Sequence, residues 1–198
     1  MNPSLALSLA SLLALTTTAC SSSMNNPDIK HNPHPKMRYE ITLTIKDAPG
    51  PFESIKGYML YKVTNEQCAP FERFAGIYHP PPDQDLPFTL IQVSDQEYKG
   101  TIYLDLLQDE DYYGKGVCHW SMPFVLANLK VGEVTFAPGM SQSQIIHQES
   151  VPQYFPKKGY GDNSIKGMGY SGSTMSETIA RYRDEFFSIT VSAKERFE

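Results

Sequence analysis

The run CHWSMPFVLA, Cys118 to Ala127, decides the fold. Cys118, Trp120, Met122, Phe124 and Leu126 share one parity, which is the period of a strand and not of a helix. The opposite parity is only partly apolar, with Val117 and Val125 on it beside His119 and Ser121. Pro123 has no N–H to give a ladder, so it marks an edge or a bulge. On this parity Trp120 packs in the core next to Cys118, and Phe124 and Leu126 follow it inward.

The same period recurs on both sides of that run. In MRYEITLTIK, 37–46, Tyr39, Ile41, Leu43 and Ile45 alternate with polar partners. At the C-terminal end Phe187, Ile189, Val191 and Ala193 alternate with Ser188, Thr190, Ser192 and Lys194. KGYMLYKV, 56–63, reads as another strand, and 88–93 with 98–107 read as a hairpin around SDQE. Shorter strands are expected at Glu133–Phe136 and Gln144–His147. PPPDQDLP, 80–87, reads as a stiff connector, and 152–175 as a long Gly- and Tyr-rich loop of the kind that carries function. One short helix is expected near SETIARYRDE, 176–185, with Ser176 as its cap and Glu177 in its first turn. Many short strands between turn signals predict an all-β fold, a two-layer β-sandwich with one short helix near the C-terminus. An immunoglobulin pattern does not fit, because Trp120 follows the second of the two domain cysteines.

Residues 1–19 carry no charged side chain and contain a short apolar run, Leu5 to Leu15. That run is shorter than the roughly 20 apolar residues a membrane span needs, and it reads as a secretory signal. Small residues followed by Cys20 resemble the bacterial lipobox, although the leader lacks Lys and Arg and has Thr17 where Leu is usual. The resemblance implies that Cys20 becomes the acylated first residue, and Ser21 after it implies an outer-membrane, periplasm-facing address. Acyl chains contribute about 0.8 kcal/mol per buried CH₂, enough for a durable anchor. Residues 20–36, rich in Ser, Asn and Pro, then form a lipidated flexible tether, and 37–198 a single domain. His31 and His34 in the tether read as bystanders.

With Cys20 acylated, Cys68 and Cys118 remain, and an oxidising periplasm makes a disulfide between them the default. The sandwich is thus expected to be disulfide-linked, and Cys118 is read as a staple and not as a nucleophile. The net charge of −5 argues against nucleic acid, whose binding needs clustered Lys and Arg.

Several motifs invite chemistry. GMGYSG, Gly167 to Gly172, matches GxGxxG but lacks the strand–helix setting of a dinucleotide site. GYSGS, 169–173, misses the final Gly of a nucleophile elbow. Asp105, Asp109, Glu110 and Asp111 supply oxygens, but the spacing of an EF-type calcium loop is absent. An irregular calcium loop, a solvated turn that discourages edge pairing and a partner-facing surface are the three readings of these acids. His119 lies on the face opposite Cys118 and Trp120, with no nucleophile indicated within reach. No catalytic residue, metal ligand or cofactor is assigned.

YKVTNEQC, the strand ending in YLD, and then DYYGKGVCHW together resemble a pattern in small bacterial lipoproteins encoded beside secreted antibacterial effectors, including lipase and cell-wall-hydrolase toxins. The similarity covers about residues 56 to 136. It implies an immunity protein: no enzyme, but a periplasm-facing lipoprotein that binds the toxin of an adjacent gene and occludes its active site. The expected contact residues are Asp109, Glu110, Asp111, Tyr112 and Tyr113 in the acidic turn, and Tyr154, Phe155, Tyr160 and Tyr170 in the late loop. The competing reading is a structural or accessory outer-membrane lipoprotein of the envelope or of a secretion apparatus.

Overall fold

The computed structural model describes residues 26–162, 164, 167 and 169–197. Cys20 and the leader lie outside the described residues. Two sheets form the molecule. The first runs in the order β11 (Ser150–Pro156), β13 (Phe186–Glu195), β1 (Arg38–Lys46), β7 (Glu97–Tyr103) and β6 (Ile91–Ser94). The second runs β12 (Gly169–Ser171), β9 (Val134–Ala137), β8 (Trp120–Val131), β2 (Ser54–Val63) and β5 (Gln84–Phe88), with β10 (Gly139–Ser141) also on β8. A two-stranded ribbon, β3 (Phe71–Glu72) with β4 (Ile77–Tyr78), stands apart from both. The fold is therefore all-β, with short helices α1 (Gln142–Ile146) and α2 (Glu177–Arg181).

Alternation builds the core. Tyr39, Ile41, Leu43 and Ile45 of β1 and Phe187, Ile189, Val191 and Ala193 of β13 are buried, and the two strands pair antiparallel with Ile41 opposite Ala193. From the second sheet, Met59, Tyr61, Met122, Val125, Ala127, Leu129 and Phe136 join them in one cluster. Buried Tyr61 ties the layers together: its hydroxyl donates to the Tyr103 carbonyl at the end of β7. Burial, with the negative charge of Asp105 second, pushes this phenol well above the usual tyrosine range.

β8 departs from its expected parity. Met122 is buried as expected, but Phe124 is 52% exposed, Leu126 is half-buried, and Val125, Ala127 and Leu129 face the core. The cause is a bulge. Leu60 pairs with Phe124 and Lys62 with Ser121, so β8 advances three residues while β2 advances two. The extra residue falls at Met122–Pro123, where proline could not have joined the ladder, and it flips every later side chain to the other face.

Three further expectations are corrected. The segment expected as a strand at 144–147 lies in α1 with His147 as its C-cap, because Ser141 and Gln144 form a reciprocal capping box: the Ser141 hydroxyl accepts from the Gln144 N–H, and the Gln144 side chain accepts from the Ser141 N–H. The segment 80–87 is partly strand, since β5 pairs along β2. Residues 152–156 belong to β11, hydrogen-bonded along β13, so the late loop starts later than the prolines suggest. The C-terminal helix is present where expected, with the Ser176 hydroxyl accepting from the Ile179 N–H.

The Cys68–Cys118 disulfide is formed, with a Cα–Cα distance of 5.2 Å. Cys68 closes a short 3₁₀ turn after β2, and Cys118 lies just before β8, so the bond pins the end of a paired ladder where Val63 meets Trp120. The bridge closes a separation of 50 residues, which in the chain-entropy model stabilises the fold by about 4 kcal/mol.

Candidate functional site

The disulfide organises one end of the molecule. Val63, Cys68, Ala69 and Cys118 form a small buried cluster of their own, covered by half-buried Tyr112, Tyr113 and Trp120. Trp120 also packs on the main core, so it joins the two clusters. Burial pushes the Tyr113 phenol upward, as its place over the cluster requires.

The acidic turn is a closed loop. Glu110 and Cys118 form its base, the Cys118 N–H donating to the Glu110 carbonyl at 2.9 Å. Within it the Lys115 N–H donates to Asp111 Oδ1 at 2.8 Å, and Gly114 and Gly116 take φ values of 67° and 112°, a region that favours glycine. The Tyr112 hydroxyl donates to the Gln108 carbonyl at 2.7 Å. Tyr112 and Tyr113 are thus partly engaged in covering the disulfide, and only their outer parts are available to a partner.

Most of the acids hold structure together. Asp109 Oδ1 accepts from the Trp120 N–H at 2.8 Å, and Oδ2 lies 2.7 Å from His119 Nδ1. Glu110 Oε1 accepts from Lys30 Nζ at 2.6 Å, which raises the lysine's pKa. Asp105 accepts from two main-chain donors, the Lys36 N–H at 2.8 Å and the Met37 N–H at 3.0 Å. These contacts explain the acids better than calcium does. Among the described residues no group of three or more His, Cys, Asp or Glu is placed to hold a metal. Asp111 is exposed, and its Oδ1 accepts from the Lys115 N–H within the loop.

The partners of Asp105 and Glu110 move a boundary. Residues expected as free tether are docked from Ile29 onward. His31 bridges Leu107, the Asn32 N–H donates to Leu106, the Gln108 N–H donates to Lys30, and Ile29 packs on the core. We refer to residues 29–36 as the strap. Its backbone finds partners along 105–108, which composition alone could not reveal.

The late-loop residues separate from the acidic turn. Phe155 is fully buried in β11 and cannot be a surface anchor, because strand alternation turns it inward with Gln153. Tyr170 stacks on Phe136 with centroids 5.4 Å apart, and Tyr160 packs edge-on against Phe52 while its hydroxyl donates to the Pro51 carbonyl. Tyr154 is half-buried, with the Arg183 guanidinium 4.9 Å from its ring centre. Phe136 meets Leu129 across β8, far along that strand from Trp120. These rings belong to the opposite end of the sandwich.

Sequence reasoning missed the β3–β4 hairpin, which directly follows Cys68. Phe71 contacts Tyr78 at 4.8 Å, Glu72 Oε2 lies 2.9 Å from His79 Nε2, and the Gly76 N–H donates to the Glu72 carbonyl. At its tip Phe74 is 103% exposed, and Phe71 and Ile77 are each 49% exposed. The signal available was FERFAGIY, aromatic and apolar residues around a Gly turn next to a cysteine.

Comparison with protein-family models, with curated proteins and with solved structures finds no match for this chain.

Proposed function

We propose that this chain is a periplasm-facing lipoprotein that binds a secreted antibacterial effector and inhibits it by covering its active site. The observation that supports the reading is the build of the disulfide end. A covalent staple and a small core hold an acidic loop and an aromatic hairpin outward, and such an end is suited to presenting surface. Stapling two loops lowers the entropy lost on association, which favours tight binding. The exposed residue types, aromatics with arginine, are those that dominate interface energies. The net charge of −5 would steer the chain towards a basic partner. The imidazole of His119 lies against Asp109, whose other oxygen accepts from the Trp120 N–H, while the Thr64 hydroxyl donates to the His119 carbonyl, so the group reads as a clasp on the β8 entry and not as an acid–base device.

The test is growth. Cells that direct the product of the adjacent gene to the periplasm should die without this chain and survive with it. Equal growth in both cases, with the neighbouring product present and active, overturns the immunity reading and leaves the accessory role in the envelope or in a secretion apparatus.

A further inference from the structure

We propose that the β3–β4 hairpin is the inserting element, with Phe74 entering an apolar pocket of the partner protein; this rests on the binding reading above. Phe74 is fully exposed at the tip, and Phe71 and Ile77 extend the apolar surface down the ribbon. Large apolar side chains presented this way gain by leaving water for an apolar pocket. The ribbon is short, yet it is held at its base. Cys68 is bonded to Cys118, the His79 N–H donates to the Pro70 carbonyl, and Glu72 meets His79 across the strands. A pinned hairpin with a protruding ring is preorganised for a cleft.

Charge selects the occupant. Arg73 precedes Phe74, is exposed, and takes part in no recorded ion pair among the described residues. It asks for a carboxylate at the mouth of the pocket. Exposed Glu66 and Asp111 flank the base of the hairpin, one near Cys68 in sequence and the other in the loop that Cys118 closes, and they ask for basic groups further out. A concave protein surface can meet both demands. An anionic bilayer satisfies the first demand but not the second, since it repels the acids. A second copy of this chain offers one apolar groove of about 580 Å³, which includes Phe88, Ile91 and Val93. The carboxylate in that groove, Glu40, is already paired with Lys99 and Arg196, so it answers Arg73 poorly.

The experiment titrates the full chain, purified in detergent, against the purified product of the adjacent gene. The variants are Phe74→Ser, Arg73→Glu and, as a control at the far end of β8 from Trp120, exposed Lys130→Ala. The expected result is a loss of at least about tenfold in affinity for Phe74→Ser, a smaller loss for Arg73→Glu, no change for Lys130→Ala, and unchanged thermal melting for Phe74→Ser. Wild-type binding that Phe74→Ser leaves within about threefold overturns the hairpin assignment and leaves the binding reading intact. A wild-type chain that does not bind overturns both. In parallel, phosphatidylethanolamine–phosphatidylglycerol vesicles and light scattering of the chain alone are tested. Vesicle binding or self-association that Phe74→Ser abolishes, with partner binding unaffected, assigns the hairpin to lipid or to a second copy and also overturns the proposal.

Discussion

At one end of the sandwich Phe136, Phe155 and Phe187 lie within ring-contact distance of one another, with Tyr160 and Tyr170 closing over them. At the other end Phe71, Phe74, Tyr112 and Tyr113 are spread over a hairpin and a loop, and the most exposed ring in the molecule is among them. The side chains are the same in kind. What differs is how their backbone is fixed. Phe155 and Phe187 ride on the long β11–β13 ladder and Phe136 on the short β9 beside β8, so alternation drives these three rings inward and packing fixes them. The second group sits on short segments that no long ladder orders, and a covalent bond supplies the order instead. A disulfide constrains the chain without requiring apolar cover, which leaves aromatic surface available for a partner.

Substitutions can break this comparison. The largest effect is expected at the packed end: Phe155→Ala should cost about 3–5 kcal/mol, read as a shifted urea midpoint, and a loss below about 1 kcal/mol would mean that the ring cluster is not a core. Next comes the staple. Replacing Cys68 and Cys118 together by Ser should cost about 2–4 kcal/mol, with amide exchange rising first in 66–79 and 110–118; uniform exchange across both ends would remove the distinction between them. Asp105→Ala should cost about 1 kcal/mol by removing the carboxylate that accepts from two exposed amides and should deprotect the Lys36 and Met37 N–H groups. Retained protection there would show that the strap docks by other means. The smallest effect is expected at Phe74→Ser, within about 0.5 kcal/mol of wild type, because the ring touches nothing that folding needs.

The parts of the fold that were legible carry a local signal. β1 and β13 alternate over most of their length, so period places them, whereas the β6–β7 hairpin is placed by its SDQE turn, with a register shift between Gln92 and Ser94. β8 reads correctly up to Met122 and wrongly after it, because one inserted residue inverts the face and the pairing with Lys62 and Leu60 that reveals the insertion is remote in sequence. β11 hides behind Pro152 and Pro156, which are tolerable because this is an edge strand of its sheet. The Ser141–Gln144 spacing did carry a helix-start signal, outweighed in reading by the apolar Ile145 and Ile146. The acidic turn was locatable from residue types, yet the duties of its acids were not. Asp105 and Asp109 serve amides at Lys36, Met37 and Trp120, and only folding brings these together. Phe74 escaped notice because nothing in a sequence distinguishes a ring that will be buried from one that will protrude.

The strap fixes where the chain departs from the body. Ile29 to Lys36 run beside 105–110, with Lys30 clasping Glu110, so whatever precedes Ile29 is attached at the stapled pole. If Cys20 carries lipid, the chain from Cys20 to Ile29 can extend no more than about 30 Å at full stretch. The leash would be short, and the hairpin would meet its quarry close to the headgroup layer, not out in the middle of the compartment.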